Sequence, residues 1–222
     1  QRNYTGSDLA FSATYLTRSL VSYKPVQGSA GTGLVADLAT DLGTPSSDLK
    51  TWTFTLRDGI TFQDGSPITC AEVAYGVSRS FANDVITDGP AFAEAFLDIP
   101  TNADGSSQYP GPYTATAEQQ ALYDAAVSCS EDGKTITFKL NSPHADFNYT
   151  TTMLTFSPVP KAKDNGEGYD MNPVSSGPYK IESYEIGKSL VLVRNENWDP
   201  ATDTQRKAYA DSIVYNFGLE EA

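Results

Sequence analysis

Apolar residues recur along this chain at one of two spacings. In residues 51–57, Trp52, Phe54 and Leu56 alternate with Thr51, Thr53, Thr55 and Arg57, the period of two that a strand with one buried face requires. Ile136, Phe138 and Leu140 repeat that alternation in residues 134–140. The segments around the two runs differ, so the likeness is one of strand chemistry and not an internal repeat. Residues 179–184 and 189–194, joined by Glu185-Ile186-Gly187-Lys188, read as a hairpin, and residues 212–217 as a last strand. Helical spacing appears first in residues 8–20, where Leu9, Ala13, Leu16 and Leu20 share a side behind Ser7 or Asp8 as N-cap. Thr69 and Glu72 form a capping box, with Ile68 and Val73 as its hydrophobic staple. The helix they open places Cys70, Val73, Ala74, Val77 and Phe81 on one buried stripe. Thr116 and Gln119 cap a further helix, whose Leu122, Ala125, Ala126 and Cys129 share a face. Two shorter helical segments carry Phe92, Phe96 and Leu97 after Gly89-Pro90, and Phe147 within residues 143–153.

Between these elements the turn chemistry is explicit. Asp58-Gly59 and Asp64-Gly65 reverse the chain, because Gly takes positive φ without steric cost and Asp tolerates it. Residues 100–112, rich in Gly, Ser, Asn and Pro, read as a surface loop, and residues 166–173 as another. The Gly-rich residues 28–33 follow no buried strand and lack the Gly-Lys-Ser/Thr ending of a phosphate-binding loop.

Composition narrows the class. A chain of 222 residues with 39% hydrophobic content, 13 Tyr, 10 Phe and 2 Trp buries a real core, in one large domain or two small ones. Twenty-eight acidic against 15 basic residues give a net charge of −13 with no dense Lys/Arg cluster, so nucleic acid and anionic membrane surfaces are poor candidates as partners. No apolar run is long enough to span a bilayer. Gln1 is followed by polar residues, so an export signal or lipid anchor is expected to have been removed or to lie upstream. The only cysteines, Cys70 and Cys129, both fall on apolar helical stripes in this reading. An even pair in a cysteine-poor chain points to a disulfide formed in an oxidising compartment, closing a loop of about 60 residues; two buried thiols are the alternative.

Catalytic chemistry is sparse. His144 is the sole histidine and reads as a helix-start residue, and no GxSxG, HExxH, CxxC or phosphate-loop motif occurs. The carboxylates are scattered, and no catalytic residue, metal-ligand set or cofactor is assigned. Asn3-Tyr4-Thr5 and Asn148-Tyr149-Thr150 match the glycosylation sequon, a pattern common by chance.

The order of residues says more than their spacing. A strand ending F-T-L-R-D-G, then F-x-D-G-x-P-x-T, then a helix with V-x-Y-G-V-x-R-S-F, resembles the signature of extracellular solute-binding proteins of ABC transporters, in the oligopeptide- and dipeptide-binding family 5. The resemblance continues through Ser157-Pro158-Val159-Pro160-Lys161, Ser175-Ser176-Gly177-Pro178-Tyr179 and Val193-Arg194-Asn195-Glu196-Asn197-Trp198, so it covers most of the chain. It implies an α/β lobe of the class II periplasmic-binding-protein type, a mixed sheet flanked by helices with an inserted α/β subdomain. Residues 1–50 and 175–222 correspond to the lobe sheet and residues 51–174 to the insertion, with the second lobe outside this sequence.

The implied function is extracytoplasmic capture of oligopeptides by a secreted or lipid-anchored protein, and delivery to the membrane permease of an ABC transporter. Resemblance places Tyr4, Phe92, Met153, Phe156, Ser176 and Gly177 toward the ligand cleft, although each position also fits ordinary core or surface. Ser175 stands where the family's first turn Gly belongs, which weakens the expectation of close backbone approach to ligand there. The acidic group that receives a peptide amino terminus is implied to lie outside this sequence. Uncovered strand edges and apolar patches are expected to favour self-association. Within the family the alternative is a metal chelate such as a nickel complex; outside it, a secreted hydrolase or an adhesin.

Overall fold

A computed structural model describes residues 6–87 and 91–218. Tyr4, the sequon at residues 3–5 and Gly89-Pro90 lie outside these residues. In chain order the elements are α1 (Gly6–Tyr15), β1 (Val21–Tyr23), β2 (Leu34–Ala36), β3 (Thr44–Pro45), β4 (Thr51–Thr55), α2 (Cys70–Arg79), α3 (Phe92–Phe96), α4 (Ala117–Ala126), β5 (Val127–Cys129), β6 (Thr135–Lys139), α5 (Phe147–Thr150), β7 (Tyr179–Glu185), β8 (Ser189–Arg194) and β9 (Ser212–Asn216). Short 3-10 turns punctuate the loops between them.

The two alternating runs identified in the sequence become neighbours. β4 and β6 pair antiparallel with Trp52 opposite Phe138 and Phe54 opposite Ile136, so both apolar faces enter one core. β3 and β5 complete that sheet in the order β3-β4-β6-β5, and β7-β8-β9 form another, with a bulge between Ile181 and Ser183. Every strand pair among the described residues is antiparallel; parallel members of a mixed sheet are not among them.

α2 lies against the β3-β4-β6-β5 sheet, and its start is the capping box read from the sequence. The Thr69 backbone N–H donates to Glu72 Oε2 at 2.9 Å, while Ile68 and Val73 are both buried. The Thr116–Gln119 box opens α4 in the same way. A continuous core gathers Leu20, Val21, Leu38, Trp52, Phe54, Val73, Val77, Phe138, Phe147 and Phe156. A smaller core of Leu16, Tyr179 and Leu192 lies between α1 and the β7-β8-β9 sheet, with Phe11, Tyr15, Ile181 and Ile213 around it.

Three expectations need correction. The first helix ends at Tyr15, not near residue 20, because tertiary partners claim the backbone beyond it. The N–H groups of Ser176 and Gly177 donate to the Leu16 carbonyl, and the Arg18 N–H donates to Ser176 Oγ at 2.9 Å. Residues 21–23 then pair with residues 34–36 as strands. Cys129 is not helical: Val127, a β-branched residue in extended conformation, ends α4, and Cys129 stands exposed on β5. Residues 100–112 are not wholly superficial, since Tyr109 is fully buried, stacked on Tyr123 and edge-on to Phe81.

A buried quartet of charges joins the two cores. Arg18 Nε lies 2.8 Å from Asp37 Oδ1, Arg206 Nη2 lies 2.8 Å from Asp37 Oδ2, and Arg206 Nη1 lies 3.1 Å from Asp203 Oδ2. All four residues are buried, and their remaining groups are bonded as well. Arg18 reaches the Thr202 carbonyl, and Arg206 Nε donates to Ala13 O. Burial pushes the Asp203 carboxyl up, but the charges of Arg206 and Arg18 and the backbone N–H groups of Arg206 and Gln205 outweigh it, leaving its pKa lowered.

Cys70 and Cys129 form a disulfide that ties the start of α2 to β5, with Cα atoms 5.7 Å apart and a sequence separation of 59. Closing a loop of this length constrains the unfolded chain by about 4 kcal/mol. Reduction is therefore expected to lower the melting temperature by on the order of 10 °C. Thiol labelling of the unreduced, denatured protein should find no reactive cysteine, and finding two would show that the bond does not form.

Asp203 gives a second expectation, with its sign fixed by linkage. Its folded pKa lies below the unfolded value, so its stabilisation is present above the unfolded pKa and is lost as pH falls through the folded one. Asp203→Asn should cost about 3 kcal/mol near neutral pH by leaving buried guanidinium charge under-compensated. The gap to the parent chain should narrow in the acid range below about pH 4. Urea unfolding across pH tests this; a gap that stays constant into acid refutes the assignment.

Candidate functional site

α2 is buried on two faces, and only one of them is apolar. Val73, Val77 and Phe81 face the sheet, while Tyr75 and Arg79, one turn apart, lie on the opposite side. That side is covered by residues 157–174. Gly76 permits the close approach: a Cβ there would collide with the Ser157 carbonyl. The Val159 N–H then donates to Glu72 O at 3.0 Å, docking the Pro-rich run along the helix.

Asp164 is the centre of this contact. Its Oδ2 accepts from Tyr75 Oη and Tyr113 Oη, each at 2.7 Å, and from Arg79 Nε at 2.8 Å; its Oδ1 accepts from the Gly166 N–H at 2.9 Å. Burial pushes the carboxyl up, yet the hydrogen bonds from Tyr113 and Tyr75, the Arg79 charge and the Gly166 N–H together hold it below the usual carboxylate range. Burial, and then the hydrogen bonds to Asp164, raise the pKa values of Tyr75 and Tyr113. Tyr169 is pushed up to about 12, chiefly by burial. Arg79 Nη2 donates to the Gly166 carbonyl at 3.1 Å, and its guanidinium carbon lies 4.7 Å from the centre of the Tyr169 ring.

Beside this network opens a cavity of about 70 Å³. Arg79 and Tyr169 line it together with Ser157, Pro158, Val174 and Asp170. Ser157 Oγ is buried and has no hydrogen-bond partner among the described residues. The groups present are phenols that stay protonated at neutral pH, one ionised and saturated carboxylate, and a hydroxyl with unused hydrogen-bonding capacity. Among the described residues, no group of three or more His, Cys, Asp or Glu side chains is arranged to hold a metal ion.

The residues placed toward the cleft by resemblance do not converge here. Tyr4 lies outside the described residues. Phe92 begins α3 and Met153 precedes the turn at Leu154–Phe156; both are half-buried and neither lines the cavity. Phe156 is fully buried, with its ring 5.6 Å from those of Phe138 and Phe147, so in this structure it is a core residue. Ser176 and Gly177 are buried against residues 15–18. A Cβ on Gly177 would lie 2.7 Å from the Tyr15 carbonyl, so the close approach that this glycine permits is to its own chain. Arg79, Asp164 and Ser157 went unnoticed in the sequence as site residues. The one signal was Tyr75 and Arg79 at i, i+4 on the side of α2 away from its apolar stripe.

Comparison with known proteins places this geometry. Residues 33–222 match the family model described as "Bacterial extracellular solute-binding proteins, family 5 Middle". The "Probable D,D-dipeptide-binding periplasmic protein DdpA" of Escherichia coli (strain K12) is 31% identical over 186 residues, 81% of this chain and 30% of its own length. The "Oligopeptide-binding protein OppA" of Bacillus subtilis (strain 168) is 29% identical over 177 residues, 77% of this chain and again 30% of its own length. This chain thus spans about a third of the length of the curated relatives it matches. Among solved structures, "Clavulanic acid biosynthesis oligopeptide binding protein 2" superposes with a TM-score of 0.87 at 35% identity, covering 99% of this chain and 37% of that one. The unliganded open form of the periplasmic murein tripeptide binding protein MppA shares the fold, with a TM-score of 0.67 at 21% identity over 97% of this chain and 38% of its own. The signature strand, turns and helix therefore carry the identity they resembled, and the chain belongs to the bacterial extracellular solute-binding proteins of family 5.

Proposed function

We infer that this chain forms part of an extracytoplasmic receptor that captures oligopeptides and presents them to the permease of an ABC transporter. The observation that carries this reading is the 0.87 TM-score, at 35% identity, to a protein whose name declares oligopeptide binding. Relatives whose names specify dipeptides and oligopeptides support it. An extended peptide is held mainly through its backbone, with roomy pockets for varied side chains, and this suits a protein offering hydroxyls, phenols and a guanidinium in place of a reactive centre. The reading includes no catalytic step. It places the protein outside the cytoplasm, secreted or lipid-anchored, in keeping with the periplasmic and extracellular relatives and with a disulfide.

In this reading residues 1–50 and 175–222 belong to the lobe sheet, residues 51–174 to an inserted subdomain, and a second lobe outside this sequence supplies the opposite wall of the cleft. Tyr4, Phe92 and Met153 remain the cleft-side contacts it proposes. A cleft that buries most of its ligand between two lobes retains only one wall here, so little affinity survives the entropy cost of association. Calorimetric titration of a mixed peptide pool into this chain and into a longer form that includes the second lobe tests the reading. The longer form should bind, and this chain should bind at least about a hundredfold more weakly. Equal affinities would make these 222 residues a complete binding module; absence of binding by the longer form would refute peptide capture.

A further inference from the structure

We propose that the cavity between Arg79, Ser157 and Asp170 is a subsite for one neutral carboxamide, the side-chain group of Asn or Gln in a bound peptide. The identification of the ligand as a peptide rests on the function inferred above; the chemistry of the subsite does not. A volume of about 70 Å³ holds about two water molecules, hence one small planar group and no aromatic ring. Its walls are partly open to solvent at Ser12, Thr17 and Asp170, so a ligand group can enter from outside.

Hydrogen-bonding capacity at the site is unspent. Ser157, 3% exposed, has a hydroxyl with no partner among the described residues. Arg79 uses Nε on Asp164 and Tyr113 and Nη2 on Gly166, and its Nη1 group has no partner among the described residues. A buried hydroxyl left unmatched costs free energy that an incoming group recovers.

Charge selects among the groups small enough to enter. The Arg79 cation is already neutralised by Asp164 at 2.8 Å, and Asp170 also lines the cavity. A carboxylate would therefore meet two carboxylates and one guanidinium, and would be repelled. An ammonium offers Arg79 no acceptor and adds like charge beside it. A carboxamide satisfies both sides: its oxygen accepts from the Arg79 and Ser157 donors, and its amino group donates to Asp170 or to the Ser157 oxygen. Tyr169, Pro158 and Val174 supply the apolar walls against which a planar group lies.

The direct probe is acetamide, titrated into the isotope-labelled chain with acetate as the charged comparison, read by nuclear magnetic resonance. Acetamide should shift the Ser157 and Val159 amides and the Arg79 Nε signal saturably, while acetate leaves them unmoved. Ser157→Val, which fills the space and removes the hydroxyl, should abolish the shifts; Ser157→Ala, which preserves the packing, should weaken the apparent affinity about tenfold. Circular dichroism establishes that each variant is folded, and Ser157→Ala decides the matter if Ser157→Val is not. No saturable response to acetamide would mean a cavity that holds solvent only, and a stronger response to acetate would overturn the charge argument. A second arm compares peptides differing only by Gln against Glu at one position, with a preference of about tenfold for Gln that Ser157→Ala removes. Acetamide binding without any peptide binding keeps the subsite and refutes the peptide reading. Peptide binding with no Gln preference refutes the subsite's role in the ligand cleft.

Discussion

Burying four charges together is tolerable only if each is met by an opposite charge and by enough hydrogen bonds to replace water, and the structure depends on that condition being met where its two cores join. Arg18 and Arg206 bring two positive groups, Asp37 and Asp203 two negative ones, and the quartet is electrically balanced. Its members come from the stretch after α1, the residue following β2 and the segment before β9. Hydrophobic contact is non-directional and would allow these segments to slide. The guanidinium forks fix distance and angle, so the quartet sets where the β7-β8-β9 sheet stands relative to the main core. Arg57 adds a further donor, from Nε to the Asp37 carbonyl at 2.8 Å, and so draws the end of β4 into the same junction.

Much of the fold was legible because its causes are local. The capping boxes at Thr69 and Thr116 are contacts between residues three apart, and the Trp52-Phe54-Leu56 alternation is a consequence of strand geometry alone. The β7–β8 hairpin is likewise set by its own turn, where Gly187 has a φ of 73°. Misreadings fell where a distant partner decides. Residues 16–20 keep a helical period, but hydrogen bonds from the turn at residues 175–177 capture their backbone. Cys129 keeps the helical spacing of Leu122 and Ala126, and the β6 strand nevertheless recruits it as a pairing partner opposite Ile136.

The site was less legible than the fold for the same reason. Arg79 reads as a surface residue of an amphipathic helix until Asp164, 85 residues away, is brought to it. Phe156 reads equally as a cleft or a core aromatic, and only the positions of Phe138 and Phe147 decide between them. Ser176 and Gly177 belong to a turn whose sequence resembles the family's, and that resemblance alone points them toward a ligand. The structure spends their backbone and hydroxyl groups on Leu16 and Arg18. A motif can thus be diagnostic of the family while its residues serve packing, which is the ordinary reason for a buried polar turn to be specific.

α2 shows how one element serves both purposes. On its apolar side the disulfide from Cys70 and the packing of Val73 and Val77 anchor it to the sheet. That rigidity is what allows the other side to hold Asp164 with Tyr75, Tyr113 and Arg79 in fixed register. A side chain whose rotamer is already locked in this way would lose little further entropy on meeting a ligand. The cost is that the charges at the site are spent on one another: Arg79 answers Asp164 first, and any ligand group is met by what remains, a neutral donor set and an exposed carboxylate at Asp170. Selectivity at such a surface comes from the pattern of unmet hydrogen bonds and not from net charge. This separates it from the overall charge of −13, whose effect on any charged solute acts at long range and is screened by salt.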